Sequence, residues 1–348
     1  MGLIGRTAKR TGLLLLGLLL LFTAAWGVLA LYFFDQASPA LRTGLAAAYG
    51  LASLAALAGL ALPRWRWRAL AGYLALFALL LSQWFTIRPS NDRDWQPEVA
   101  ILPYATIEGE RVTVHNIRNF DYLSESDFTP AYYDKAFDLR QLDSVDLVAT
   151  YWMGPAVAHI FISFGFAGQD HLAISIEARK ERSEGYSTVK GFFRQYELYY
   201  VVADERDVIR LRTNYRKDPP EDVHVFRLKG ATDAGRKLFL SYMQRINSLK
   251  ERPEFYNTLT TNCTTNIWLH AGVNPGRIPF SWKILLSGHV PGYLYDAGRL
   301  EDGLPFAEYL PYAVTRTWHT QLAVLWIATA WLATGLYVAP MLAGRDPK

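Results

Sequence analysis

Residues 159–177 have the sequence HIFISFGFAGQDHLAISIE and carry the clearest structural signal in the chain. Two runs rich in β-branched and aromatic residues flank a loop that contains glycines, a pattern that predicts a β-hairpin. Side chains alternate between the two faces of a strand, so His171, Ser175 and Glu177 share one face of the second strand. His159 opens the first strand. Because the faces of paired strands are continuous, these side chains are candidates to contact the imidazole.

The chain around the hairpin predicts an α+β fold in which an antiparallel sheet packs against helices. Further strands are predicted at residues 110–116, 196–202, 208–212 and 223–228. Residues 232–252 change to a helical period that Pro253 ends, and a shorter helix is predicted over 264–271. Residues 132–147 show no clear period and stay unassigned. The folded domain is expected to start near Tyr104, after a proline-containing linker.

The ends of the chain are much more apolar than its middle, which the mean hydropathy of +0.04 conceals. Uncharged runs occupy residues 11–34, 43–62, 69–87 and 317–342. Each run is long enough for a helix that crosses a bilayer, which needs about 20 residues. The predicted organisation is three spans in residues 1–87, one inserted domain at 88–316, and a fourth span with a short tail at 317–348.

Basic residues predict the orientation of these spans. They flank the runs at Arg6, Lys9, Arg10, Arg64, Arg66, Arg68, Arg345 and Lys348. The positive-inside rule places both termini in the cytoplasm and the insert outside it, which in the inner membrane of a bacterium is the periplasm. The cytoplasmic clusters explain much of the net charge of +4, so no nucleic-acid partner is predicted. No span has an ionisable residue well inside it, which favours anchors over a conduction pathway.

The only cysteine, Cys263, lies in the run TTNCTTNIW at residues 260–268. An exported domain with a single cysteine has no internal disulfide to form. If Thr261 or Asn262 caps the following helix, Cys263 and Thr264 fall in its first turn, where the helix dipole favours a thiolate. A thiolate beside an imidazole is the minimal machinery for acyl transfer through a thioester. The alternative is that Cys263 is a small buried hydrophobic residue.

His159 is the candidate base for that thiol, and Glu177, Ser175 or His171 is the candidate to orient its ring. The charged segment 177–184 predicts a solvated turn, with the alternative that Arg179 or Arg194 binds a phosphate headgroup. The other histidines lack the spacing of a zinc site, so neither a metal nor a cofactor is predicted.

Residues 280–295, FSWKILLSGHVPGYLY, form an apolar and aromatic segment that is too short to span a bilayer. Tryptophan and tyrosine favour the headgroup level of a membrane, so one interpretation is that this segment lies on the membrane or lines an entrance for acyl chains. The other interpretation is ordinary core packing.

Several separated blocks together carry a resemblance to a known family. They are residues 158–166 (AHIFISFGF), 175–181 (SIEARKE), 196–198 (YEL), 204–207 (DERD) and 262–265 (NCTT). Over about residues 116–300 the chain resembles the periplasmic domain named after the Lnb lipoprotein N-acyltransferases. The histidine precedes the Asn-Cys pair in the chain, and this order is similar to that in the circularly permuted papain-like fold of NlpC-type peptidases and lecithin:retinol acyltransferases.

The resemblance implies that Cys263 is the nucleophile and His159 the base. Acyltransferases of the wider group use a second histidine as the third residue, and His171 would take that role here. Glu177, however, lies inside the block that resembles the Lnb domain. Glu177 is therefore the preferred third residue. Asn262, Thr264, Ser175 and Arg179 are supporting candidates.

Three hypotheses follow for the function. The first is a membrane-anchored acyltransferase that takes an acyl group from a phospholipid onto Cys263 and passes it to an amine or hydroxyl, with a lipoprotein N-terminus as the best-motivated acceptor. The second is an NlpC-like cell-envelope cysteine peptidase or amidase that uses the same residues. The third is a non-catalytic membrane scaffold.

Overall fold

The computed structural model describes residues 3–34, 38–230 and 232–301, and the predicted fourth span at 317–342 lies outside them. The helices are α1 Leu3–Tyr32, α2 Pro39–Ala61, α3 Arg66–Trp84, α4 Glu205–Arg210, α5 Thr232–Glu251, α6 Cys263–His270, α7 Trp282–Leu285 and α8 Val290–Asp296. The strands are β1 Tyr104–Glu108, β2 Arg111–Arg118, β3 Asp121–Tyr122, β4 Phe128–Thr129, β5 Tyr132–Asp138, β6 Leu142–Tyr151, β7 Ala158–Phe166, β8 Asp170–Arg179, β9 Glu197–Asp204 and β10 Asp222–Arg227.

The chain divides into two compact units, each assembled from separate segments. Unit one contains residues 1–100, 178–199 and 251–262. Unit two contains residues 101–177, 200–250 and 263–301 of the described chain. The predicted inserted domain at 88–316 is thus shared between the units, because three of its segments group with the N-terminal helices.

The N-terminal helices of unit one pack closely through small residues. Thr11–Tyr32 and Pro39–Ala61 are the two described helices that are long and apolar enough to cross a membrane by length and composition. A Cβ added at Gly27 would lie 2.5 Å from the ring of Tyr49, so glycine permits this contact between α1 and α2. The helix α3 covers most of the predicted third span, and its Tyr73 hydroxyl lies 2.8 Å from Oγ1 of Thr23 on α1.

A later segment of unit one contacts the ends of these helices. The ring of Phe193 stacks on Phe33, with centroids 5.3 Å apart, and meets Trp84 edge-on at 6.4 Å. The neighbouring Arg194 donates a hydrogen bond from Nη1 to the carbonyl oxygen of Trp84 at 2.8 Å. The helices and the segment 178–199 therefore form one packed body.

The sheet has the strand order β1-β2-β9-β8-β7-β6-β10, and β5 pairs with β2. The pairings of β6, β7, β8 and β10 that position the site are antiparallel, and the predicted hairpin is confirmed as β7 and β8, with Ile162 opposite Ile174. One pairing, β2 with β9 at Arg118 and Ala203, is parallel. The sheet is therefore mixed, where the sequence predicted an antiparallel one.

Two sequence expectations need correction or completion. The strand predicted at 208–212 is instead the end of α4 and a π-helical turn at Leu211–Tyr215. The buried Val208 and Leu211 are three residues apart, so they face the same side of a helical turn, and a short alternation cannot distinguish this pattern from a strand. The unassigned residues 132–147 form β5 and most of β6.

The helix α5 places an aromatic face on the sheet of unit two. Phe239 is fully buried and meets the rings of Phe164 and Phe166 edge-on, with centroids 5.1 and 5.4 Å apart. Edge-on aromatic pairs of this kind stabilise a core beyond the area that they bury. This packing makes a rigid support behind β7, the strand that carries His159.

Candidate functional site

Cys263 and His159 meet in unit two although about a hundred residues separate them in the chain. Cys263 is the first residue of α6, and His159 is the second residue of β7. Hydrogen bonds with the His159 imidazole and with the backbone N–H of Ile160 are among the interactions that lower the pKa of the Cys263 thiol, so both groups lie close to the sulfur. As a residue Cys263 is only partly buried, so it is not part of the closed core of the unit.

The other side of the His159 ring faces β8. Its Nε2 atom lies 2.6 Å from Oγ of Ser175 and 3.1 Å from Oε1 of Glu177. Ser175 donates to the same Glu177 oxygen at 2.7 Å. A serine hydroxyl that donates to the carboxylate has its lone pairs free to accept from Nε2–H. Since Nε2 is engaged here, Nδ1 is the nitrogen left to bond with Cys263.

A buried arginine extends this network behind Glu177. Arg212 lies in the π-helical turn and donates from Nη2 to Oε1 of Glu177 at 3.3 Å. Its Nη1 atom donates to Glu221 at 3.0 Å, and Glu221 also pairs with Arg216 at 2.8 Å. No sequence motif indicated Arg212, because the segment was predicted as a strand. Single-turn π-helical segments often occur at functional sites.

The charges of this network shift the pKa values of His159 and Cys263 in opposite directions. Burial lowers the pKa of His159, but the charge of Glu177 and hydrogen bonds with Cys263 and Glu177 outweigh burial and raise it to about 9, while Arg212 opposes the rise. Burial raises the pKa of the Cys263 thiol, yet its hydrogen bond with His159 and the imidazolium charge produce a net lowering. Both shifts favour transfer of the thiol proton to the imidazole, and so favour a thiolate and imidazolium pair.

Glu177 stays ionised beside this pair. Burial raises the pKa of its carboxyl, but the charge of His159, hydrogen bonds with His159 and Ser175, and the charge of Arg212 hold the pKa well below its usual range. Its side chain keeps 31% of its exposure, so water screens part of its charge.

The remaining sequence candidates have other partners. Nδ1 of His171 lies 3.8 Å from Glu205, and His171 precedes Ser175 by four positions on β8, more than 10 Å along the strand. Thr264 donates to the carbonyl oxygen of Ile284 at 2.6 Å, which ties α6 to α7. Asn262, in unit one, donates to the carbonyl oxygen of Thr258 at 2.7 Å. The geometry therefore places Glu177, and not His171, at the His159 ring.

Arg179 does not have the solvated position that its charged segment predicted. Its side chain in unit one is only 1% exposed and donates to the carbonyl oxygens of Val99 and Ala100, both at 2.9 Å. Its guanidinium lies 4.1 Å from the centroid of the Trp95 ring. These contacts make Arg179 a packing residue, and they do not support the interpretation that it binds a headgroup.

His270, at the end of α6, is a second buried histidine. Both ring nitrogens are engaged, with Tyr200 and Ser241 each 2.8 Å away. Burial, and next the charge of Arg245, lower its pKa to about 3, so it stays neutral. The Tyr242 ring stacks on it at 4.0 Å, which anchors α6 to α5. His270 therefore fixes the helix that carries Cys263 and does not compete with His159.

The fold and the site define an α+β protein with two helices apolar enough to cross a membrane, in which a partly buried cysteine pairs with a histidine on the neighbouring sheet. The family model described as the Lnb N-terminal periplasmic domain matches residues 128–288, which include Cys263, His159 and Glu177. Residues 128–288 are therefore similar to the Lnb N-terminal periplasmic domain family, and this match together with the two apolar helices supports a membrane protein with a periplasmic domain. Comparison with curated proteins and with solved structures found no match.

Proposed function

We propose that the protein is a cysteine-dependent acyltransferase of the bacterial inner membrane that works on its periplasmic side. The observation that carries the proposal is the Cys263 and His159 pair, in which the pKa of the thiol is lowered and that of the imidazole raised. The family match at residues 128–288 supports the same conclusion, because the resemblance to the Lnb lipoprotein N-acyltransferases implies thiol chemistry at these positions.

The first half-reaction transfers the acyl group to the enzyme. The Cys263 thiolate attacks the ester carbonyl carbon of a membrane phospholipid and forms a C–S bond. As the tetrahedral intermediate collapses, the ester C–O bond breaks, and the His159 imidazolium gives its proton to the departing alkoxide. The products are an acyl-Cys263 thioester and a lysophospholipid. Backbone N–H groups at the start of α6 are the candidate donors to the oxyanion.

The second half-reaction returns the enzyme to its starting state. His159, now neutral, takes a proton from an acceptor amine as the nitrogen attacks the thioester carbonyl, and the C–S bond breaks to release the Cys263 thiolate. Glu177 stabilises the imidazolium in both steps because it lies 3.1 Å from Nε2. The N-terminus of a lipoprotein is the proposed acceptor, and both termini of the enzyme are proposed to lie in the cytoplasm, with three spans before the domain and one after it.

Mass spectrometry of the full chain in detergent tests the acyl-enzyme directly. We expect incubation with isotope-labelled phosphatidylethanolamine to produce an adduct on Cys263 that hydroxylamine removes, and we expect none in Cys263→Ser. Because the chain has one cysteine, the adduct site is unambiguous. Activity that persists in Cys263→Ser without any adduct would refute the proposal, and cleavage of cell-wall peptides without acyl transfer would favour the peptidase hypothesis instead.

A further inference from the structure

An exposed apolar surface in unit two adjoins the catalytic pair. It comprises Met153, Val157, Phe280, Trp282, Leu285 and Leu286, which keep between 36% and 73% of their exposure. We call these six residues the apolar rim. Met153 and Val157 lie in the connection from β6 to β7, and the other four lie on or beside α7. Soluble surfaces rarely leave large apolar side chains exposed in a contiguous group.

Backbone contacts join the two parts of the rim. The N–H of Gly288 donates to the carbonyl oxygen of Ala156 at 3.1 Å. A Cβ at Gly288 would lie 2.1 Å from the carbonyl oxygen of Pro155, so only glycine permits this approach. The hydroxyl of Tyr151 donates to the carbonyl oxygen of Gly288 at 2.9 Å. The turn after α7 is therefore fixed against the connection that leads into β7.

The rim is also tied to both reacting residues. The N–H of Ala158, next to His159, donates to Oγ of Ser287 at 3.0 Å. Thr264, next to Cys263, donates to the carbonyl oxygen of Ile284 at 2.6 Å. The exposed side chains of α7 thus project from a segment that is bonded on one side to the cysteine helix and on the other to the histidine strand.

We propose that the apolar rim is seated in the acyl-chain layer of the lipid bilayer and delivers the donor ester to Cys263. The inference rests on the proposed acyltransferase and identifies its donor as a lipid still embedded in the membrane. Trp282 and the adjacent Lys283 are residue types that favour the interface, with the ring toward hydrocarbon and the ammonium toward water. Nζ of Lys283 pairs at 3.1 Å with Asp296, whose side chain is 65% exposed, so the ammonium lies at the surface of the unit.

The length of the chain after the rim permits this placement. The structure describes residues up to 301, and the predicted fourth span begins at 317. The intervening residues can extend over no more than about 50 Å, so Glu301, which is in the same unit as the rim, is tethered within that distance of the predicted span. A lipid surface at the rim would also bring an ester at headgroup depth next to the thiolate.

A fluorescent label tests the seating without relying on catalysis. The full chain carries Cys263→Ser and one new cysteine, from Leu286→Cys or from the control Leu123→Cys, whose wild-type side chain is 79% exposed and lies outside the rim. Each is labelled with an NBD fluorophore and reconstituted into phosphatidylethanolamine and phosphatidylglycerol vesicles. We expect blue-shifted emission, quenched by lipids with nitroxide on their acyl chains, at position 286 and not at 123.

Two results would overturn the seating. If the fluorophore at 286 emits at the same wavelength as the one at 123, it is in water and no bilayer covers the rim. If its emission is blue-shifted but not quenched by the nitroxide lipids, protein covers the rim. Activity gives a second readout, in which Trp282→Ser raises the KM for vesicle-embedded donor about tenfold while Leu123→Ser does not. If position 286 is in the bilayer but the wild-type protein forms no acyl-Cys263, the proposed acyltransferase function is refuted and the proposed placement of the rim in the bilayer is supported. If acyl-Cys263 forms without immersion, only the seating fails.

Discussion

Nε2 of His159 and Oγ of Ser175 lie 2.6 Å apart on neighbouring strands. The serine hydroxyl also donates to Glu177, so it fixes the rotation of the imidazole relative to the carboxylate. This makes Ser175 a positioning residue for His159, because it reaches the reacting sulfur only through the ring.

Replacement of Ser175 tests that positioning role. We expect Ser175→Ala to lower kcat about 10- to 100-fold, because the ring loses its fixed orientation while Glu177 keeps its charge. Ser175→Thr, which retains the hydroxyl, should recover most of the activity. Steady-state kinetics with a phospholipid donor measure both variants. If alanine and threonine lower kcat equally, steric packing and not the hydroxyl is what the site requires.

The ionisation of Cys263 is measurable by alkylation, since no other thiol is present in the chain. The pKa of the thiol is lowered by its hydrogen bond with His159 and by the imidazolium charge, against the effect of burial. We expect the rate of alkylation by iodoacetamide to rise at lower pH in the wild type than for an ordinary thiol, and to rise at higher pH in His159→Gln than in the wild type. A wild-type rate that follows an ordinary thiol titration would contradict the ion pair.

The pH dependence of kcat/KM should separate the effects of the Glu177 and Arg212 charges on the pKa of His159. Its pKa is raised to about 9, so activity that needs the imidazolium should fall as pH rises through about 9. Glu177 raises this pKa and Arg212 lowers it. We therefore expect the falling limb to move to lower pH in Glu177→Gln and to higher pH in Arg212→Gln.

The control for this comparison is Arg140→Gln, because Arg140 is an exposed arginine of unit two that pairs only with Asp138 among the ion pairs of the described chain. The falling limb of the pH profile of kcat/KM should not move in Arg140→Gln. Shifts of the same sign in Glu177→Gln and Arg212→Gln would show that the variants act through disrupted packing and not through charge.

Arg179 should matter for stability and not for chemistry. Arg179→Ala leaves the buried carbonyl oxygen of Val99 and the partly buried one of Ala100 without this donor, so we expect a loss of about 2–4 kcal/mol in the free energy of unfolding. Arg182→Ala is the matched control, because the Arg182 side chain is 63% exposed and its pairing with Asp94 should contribute less than about 1 kcal/mol. Denaturant titration of the full chain in detergent measures both. Equal losses would argue against the packing role.

The sequence predicted those parts of the site that depend on local pattern. The hairpin and the helix that begins at Cys263 follow from side-chain period and turn residues, and they place His159, Ser175 and Glu177 on facing strands. Arg212 could not be predicted in the same way. Its bond with Glu177 joins positions 35 apart, through a π-helical turn whose short apolar pattern also fits a strand.

Charge alone was a poor guide to burial at the end of β8, where Arg179 is the last residue. A run with so many ionisable residues normally lies in water, yet Arg179 is enclosed because backbone carbonyl oxygens and the Trp95 ring take up its guanidinium. These partners lie about 80 positions earlier in the chain, so only the folded structure shows that they meet.

The packing of Phe193 and Arg194 against Phe33 and Trp84 has a practical consequence for anyone who works with the periplasmic part in isolation. A protein shortened to begin after the hydrophobic helices would expose aromatic rings that those helices normally cover, and would leave Arg194 without the carbonyl group of Trp84. The N-terminal helices are thus folding partners of the segment that contains Phe193 and Arg194. The detergent must be chosen to preserve this packing.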